Sequence, residues 1–171
     1  MRLPINIFAL GITLLTAGCG YAPSDASIIA RFNAHRTEFS QLLEMFHQDD
    51  IKGRLSCDGD ASDDVIRGQQ PISAQRRAEY GKLFQSVGCD TAVYYQPKSG
   101  NAEFTMWSVG MLFAGQHKSI DYFPGGGPAS AVEPVVATTD SYRWAPVDRV
   151  RGYETLFRLI DGPWYLEYQA N

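Results

Sequence analysis

Histidine and cysteine are scarce in this sequence, three of each, and the chain has no Cys-x-x-Cys pair. The usual thiolate-based zinc and redox motifs are therefore missing. Also missing are Gly-x-Ser-x-Gly, His-Glu-x-x-His, a Walker loop and a dinucleotide fingerprint following a strand. Those absences remove the enzyme classes most readily recognised from spacing alone. They leave open a site assembled from carboxylates distant in sequence, which no spacing reveals. No basic run exceeds the pair Arg76-Arg77, and acidic residues outnumber basic ones, 19 to 15. This argues against nucleic acid as a partner. No apolar run reaches the roughly 20 residues needed to cross a bilayer.

The longest apolar run is Ile5 to Leu15, broken only by Asn6 and preceded by Arg2. Thr16, Ala17 and Gly18 follow it. A positive start, a short apolar core and a small-residue end make a secretory signal. Its close, Leu15-Thr16-Ala17-Gly18-Cys19, resembles the lipobox of bacterial lipoproteins. The family favours leucine three residues before the cysteine; Thr16 stands there, and Leu15 lies one place earlier. The resemblance implies cleavage before Cys19, lipid on its sulfur and attachment to a bilayer facing the periplasm. Each buried methylene contributes about 0.8 kcal/mol, so two or more acyl chains hold a protein durably where one holds it reversibly. A secreted soluble product and an uncleaved signal anchor are the competing readings. Gly20 occupies the place where aspartate marks inner-membrane retention in enterobacterial lipoproteins, which favours the outer membrane.

This divides the chain into a signal peptide at 1–18, a tether at 19–24 and one domain at 25–171. From Cys19 onward there are 14 basic and 19 acidic residues, a net charge of −5. That charge gives no electrostatic hold on an anionic membrane, so the lipid must do the tethering. With Cys19 acylated, Cys57 and Cys89 remain. In an oxidising compartment such a pair is expected to form a disulfide. A loop of about 33 residues corresponds to about 3.5–4 kcal/mol by the chain-entropy argument.

Residues 25–49 show one apolar stripe at helical spacing through Ile28, Ile29, Phe32, Phe39, Leu42, Leu43 and Phe46. Ser24 or Asp25 caps its start. His35 reads as an interface histidine beside the stripe. Glu44 and His47 have Glu-x-x-His spacing, but no second copy accompanies them, so no metal site is expected. Residues 51–70 are polar and turn-rich. An EF-hand starting at Asp58 fails, because the glycine and glutamate positions hold Asp63 and Gln69. A second helix is expected over 71–87, capped by Ser73 and stopped by Gly88.

Of 21 aromatic residues, 14 follow residue 90, where the period shifts toward two. Strands are expected at 91–96, 103–113 and 118–123, with a hairpin loop at 114–117 that leaves His117 at a solvated tip. Pro124 to Pro134 reads as a glycine-rich surface loop without the strand–helix context of a phosphate cradle. A further strand is expected at 135–138, then irregular chain through 142–151. A terminal hairpin is expected at 153–160 and 164–169, with Trp164, Leu166 and Tyr168 alternating with Tyr165, Glu167 and Gln169 as in a half-buried strand.

The expected fold is α+β, two helices packed on a twisted antiparallel sheet of five or six strands. The other sheet face, aromatic and exposed, is the expected binding surface. No cofactor is implied and no catalytic residue is identified. The expected role is non-enzymatic: an envelope lipoprotein binding another protein, of the inhibitor or immunity kind. The alternatives are a structural or assembly lipoprotein and a small hydrolase.

Overall fold

The computed structural model describes residues 22–57, 72–111, 114–128 and 154–170. The acidic stretch at 58–64, the expected strand at 135–138, the irregular chain at 142–151 and Cys19 itself lie outside those residues. Among the described residues, three helices pack on one face of a six-stranded antiparallel sheet. The α+β architecture is as expected.

The first helical stretch is two helices, α1 (Asp25–Ala34) and α2 (Arg36–Gln48). They break at His35, whose φ of −124° and ψ of 25° leave the helical region. Its amide donates to both the Arg31 and Phe32 carbonyls, so the last turn of α1 tightens. An unbroken period of 3.6 carries the apolar stripe straight through this point, so the stripe alone does not show the break. Phe32 and Phe39 flank the break, are fully buried, and meet with ring centroids 5.3 Å apart.

Helix α3 (Ala74–Val87) begins where its cap predicts: Ser73 Oγ accepts from the Arg76 amide at 3.2 Å. It ends at Gly88, which takes the left-handed conformation (φ 71°) that glycine adopts without a Cβ penalty. Asp49, just past α2, accepts from Tyr80 Oη at 2.6 Å and Arg76 Nε at 2.7 Å, clamping α2 to α3. Burial works against ionisation of Asp49, but these two donors outweigh it and hold the carboxyl below its ordinary range.

The strands are β1 (Gly53–Ser56), β2 (Ala92–Gln96), β3 (Asn101–Met111), β4 (Ala114–Tyr122), β5 (Glu154–Asp161) and β6 (Trp164–Ala170). Their order in the sheet is β1-β2-β3-β4-β6-β5. Strand β1 falls in the segment expected to be turn-rich. Four residues carry too little pattern to register as a strand, and β1 exists because Gly53 to Ser56 pair with Tyr95 to Ala92. The disulfide joins Cys57, immediately after β1, to Cys89, immediately after α3, with Cα atoms 6.0 Å apart. It fastens the edge of the sheet to the helical layer.

Residues opposite one another across a ladder share a face. Phe104, Ile120 and Leu166 form one such row and are fully buried beneath the helices. Phe39 meets Phe104 at 5.0 Å, and Phe46 stacks on Tyr80 at 5.6 Å. Each such ring contributes on the order of 1.5–3 kcal/mol by burial.

Candidate functional site

The face turned away from the helices is set by the same registers. Thr105, Ser119, Glu167 and Phe157 form one row. Glu103, Asp121, Tyr165 and Leu159 form the next. A bulge between Thr105 and Trp107 inserts one residue into β3. Met106 joins the helix-side core and Trp107 pairs with Lys118, which is also on that side. Past the bulge, Ser108 is back on the carboxylate face, opposite His117, which shares that face with Ser119 and Asp121 by the alternation of β4. Bulges commonly re-aim side chains in this way beside functional sites.

His117 therefore does not occupy a solvated hairpin tip, as its sequence position suggested. The turn comes earlier, β4 already includes residue 114, and the His117 side chain is 22% exposed. Strand β6 was expected to bury one side only. Tyr165 and Glu167 are buried as well as Trp164, Leu166 and Tyr168, because β6 lies inside the sheet with a cleft on its second face.

That cleft has a volume of about 330 Å³. Its floor is made by Glu103, Asp121 and Glu167, and its walls include Tyr94, Phe123 and Phe157. Phe123, Phe157 and Tyr165 pack edge to face, with centroids 5.7–6.4 Å apart. Tyr165 Oη donates to the Gly126 carbonyl at 3.3 Å, drawing the turn after β4 over one end. Tyr94 and Leu159 stand on this face and are 43% and 51% exposed. Aromatic side chains are present on this face, as expected, but its centre is acidic and recessed.

The electrostatics follow from crowding. Ser119 Oγ lies 2.7 Å from Asp121 Oδ1 and 3.2 Å from Glu167 Oε2, all three residues being buried. A hydroxyl has one proton to donate, so two ionised acids cannot both be satisfied by Ser119. Burial, followed by the charge and hydrogen bond of Glu167, pushes the Asp121 carboxyl well above its ordinary range. Glu103 is pushed up to about 7, first by burial and then by the Glu167 charge. Carboxylates sharing one low-dielectric site behave in this way, because they cannot all ionise together. His117 is pushed below its ordinary value by burial, which outweighs the nearby Glu167 charge, so its imidazole is neutral at pH 7. Its Nε2 lies 3.6 Å from Glu103 Oε1.

No protein-family model, curated protein or solved structure matches this chain. The site must be read from its own atoms.

A larger groove of about 450 Å³ runs between α2 and α3. Its charges neutralise one another: Arg76 pairs with Asp49 and Glu79, and Gln48 donates to Glu44. Glu44 lines that groove and His47 is exposed on α2. Among the described residues, the metal-type grouping is instead Glu103, His117 and Glu167. Sequence reasoning singled out none of its carboxylates. The available signal was the alternation of His117, Ser119 and Asp121 with Lys118, Ile120 and Tyr122 along β4.

Proposed function

We propose that this chain is an envelope lipoprotein, anchored through Cys19, whose domain binds a protein partner in the acid-floored cleft. The supporting observation is a recessed cluster of three carboxylates ringed by aromatic side chains on the face the helices leave open. Among the described residues, no lysine or arginine pairs with Glu103, Asp121 or Glu167. A cationic side chain from a partner, packed between the aromatic walls, supplies the missing charge. Buried aromatic contacts with a central polar anchor are what concentrate binding energy at protein interfaces.

The anchor geometry agrees with this reading. Ala22 is already buried, and the Pro23 carbonyl accepts from Lys118 Nζ at 3.1 Å on the helix side of the sheet. Ala22 lies three positions after Cys19, a reach of about 10 Å at full extension. The domain would sit close to the bilayer with its cleft on the opposite face. Replacing Cys19 by serine is expected to move the protein from the membrane pellet to the soluble fraction. Unchanged pelleting would refute the anchor.

The partner reading is tested by capture from envelope extract with wild-type and Tyr94→Ala/Leu159→Ala protein. Both residues are exposed, so the fold should survive their loss. The expected result is one partner held by the wild type, released by raised salt and lost in the variant. Equal capture by both proteins would refute the site.

A second reading has its own observation. Glu103, protonated up to about pH 7, lies beside Glu167, the arrangement of a general acid and a carboxylate base. A small hydrolase acting on a polymer segment would use that pair, and Glu103→Gln would abolish turnover. Loss of partner capture without any hydrolysis by the wild type separates the two readings.

A further inference from the structure

We propose that Glu103, His117 and Glu167 form a binding site for a divalent transition-metal ion of the zinc class. The inference stands on these side chains and does not depend on the partner reading. One ligand atom from each residue, an imidazole nitrogen and two carboxylate oxygens, lies within 4.8 Å of the others. Around a tetrahedral zinc with bonds of about 2.0–2.2 Å, neighbouring ligand atoms stand about 3.3 Å apart. The Nε2–Oε1 pair of His117 and Glu103, at 3.6 Å, is already near that spacing.

A second, independent observation points to a ligand. His117 Nε2 is fully buried and, among the described residues, makes no hydrogen bond. A buried nitrogen without a partner is costly, and native structures seldom leave one so. This nitrogen faces Glu103 Oε1, beyond hydrogen-bond reach but close enough to share an ion. A metal supplies the missing partner and, in the same position, counter-charge for the acids.

The donor set selects the metal. Calcium and magnesium take all-oxygen shells, whereas imidazole mixed with carboxylate suits zinc, cobalt, manganese or iron. Three protein ligands leave a fourth position for water or for a group brought by a bound molecule. Behind the ligands, Ser119 Oγ contacts Glu167 Oε2 and Asp121 Oδ1. Those contacts orient Glu167, the role that outer-shell hydrogen bonds play around metal ligands. All three ligands come from β3, β4 and β6, paired strands at the middle of the sheet. Such a platform holds them more rigidly than loops would.

The test uses the full-length chain in detergent, stripped with EDTA and titrated with Zn²⁺ or Co²⁺ alone. The expected result is one equivalent bound, with calcium at least about 100-fold weaker. His117→Gln and Glu167→Gln should each weaken Zn²⁺ by more than about 100-fold, exceeding the effect usual for an outer-shell residue. Glu44→Gln/His47→Gln on α2 should change nothing. X-ray absorption of the wild-type zinc complex needs no variant, and should show one imidazole among oxygen ligands. Absence of stoichiometric zinc, calcium binding as tight as zinc, two or more imidazoles, or sulfur in the shell would each overturn the proposal. The partner reading would survive any of these, because its capture assay is read without added metal.

Discussion

Replacing Asp25 by alanine is expected to destabilise the domain by about 3–5 kcal/mol, the usual cost of removing one partner from a buried ion pair. Asp25 is wholly buried at the start of α1, and its Oδ1 accepts from Lys118 Nζ at 2.7 Å. Its Oδ2 accepts from Arg158 Nη1 at 3.1 Å. Lys118 is also fully buried, on β4, 93 residues away. Removing the aspartate takes a counter-charge from an ammonium that water does not reach. Arg158 is 31% exposed and recovers hydration, so the lysine carries most of the effect. For a domain of this size, the melting temperature should fall by roughly 10 °C. Asp25→Asn should cost somewhat less, because its amide oxygen still accepts from Lys118, although its NH2 cannot accept from Arg158. Asp25→Ala/Lys118→Met should cost less than the sum of its parts, since a well-packed apolar pair can replace a buried ion pair. Urea unfolding of the wild type, Asp25→Ala, Lys118→Met and the double variant measures this cycle. A loss below about 1 kcal/mol for Asp25→Ala would show that the pair is held in a wetter place than its burial indicates.

This clamp marks where reading the sequence stops being sufficient. An acid at the head of α1 is legible from a few neighbouring residues, since it suits the positive end of a helix. That a lysine from the middle of a strand reaches it is a fact of tertiary packing. The same boundary runs through the whole fold. Ser73 and Gly88 delimit α3 by chemistry confined to its own ends. The Cys57–Cys89 disulfide is present, as the small cysteine count suggested. By contrast, β1 is held only by its neighbour, and the break at His35 leaves the apolar stripe intact. The cleft was the least legible part. Glu103 and Glu167 each look like a polar residue on the solvated side of a strand. They become a site because β4 lies between their two strands and its alternation places His117 on the same face.

The same crowding predicts an unusual dependence of stability on pH. A carboxyl with a raised pKa holds its proton in the folded state after the unfolded chain has released it. The folded state then binds more protons, and stability falls as pH rises. For Glu103 the window runs from 4.5 to about 7. Such a shift corresponds to about 3 kcal/mol, less what water at the mouth of the cleft screens. Asp121 is buried more deeply and shifted in the same direction, so it adds to the loss. His117 acts oppositely: it is held neutral, and its contribution disappears as pH falls below its ordinary 6.5. Below that point the two trends compete, so the Glu103 fall should be clearest from pH 6.5 to about 7, and any fall beyond that comes from Asp121. Urea unfolding from pH 5 to 8.5, with EDTA present so that no cation supplies counter-charge, should show it. Glu103→Gln should flatten the fall, and Glu103→Gln/Asp121→Asn should nearly abolish it. Glu167→Gln should reduce it through both neighbours, because the Glu167 charge raises each of them. Constant stability across this range, or an equal slope in Glu103→Gln, would mean that the three acids are not electrostatically joined. The cleft floor would then be three separate surface carboxylates, without the unmet negative charge that makes it a receptor for cations.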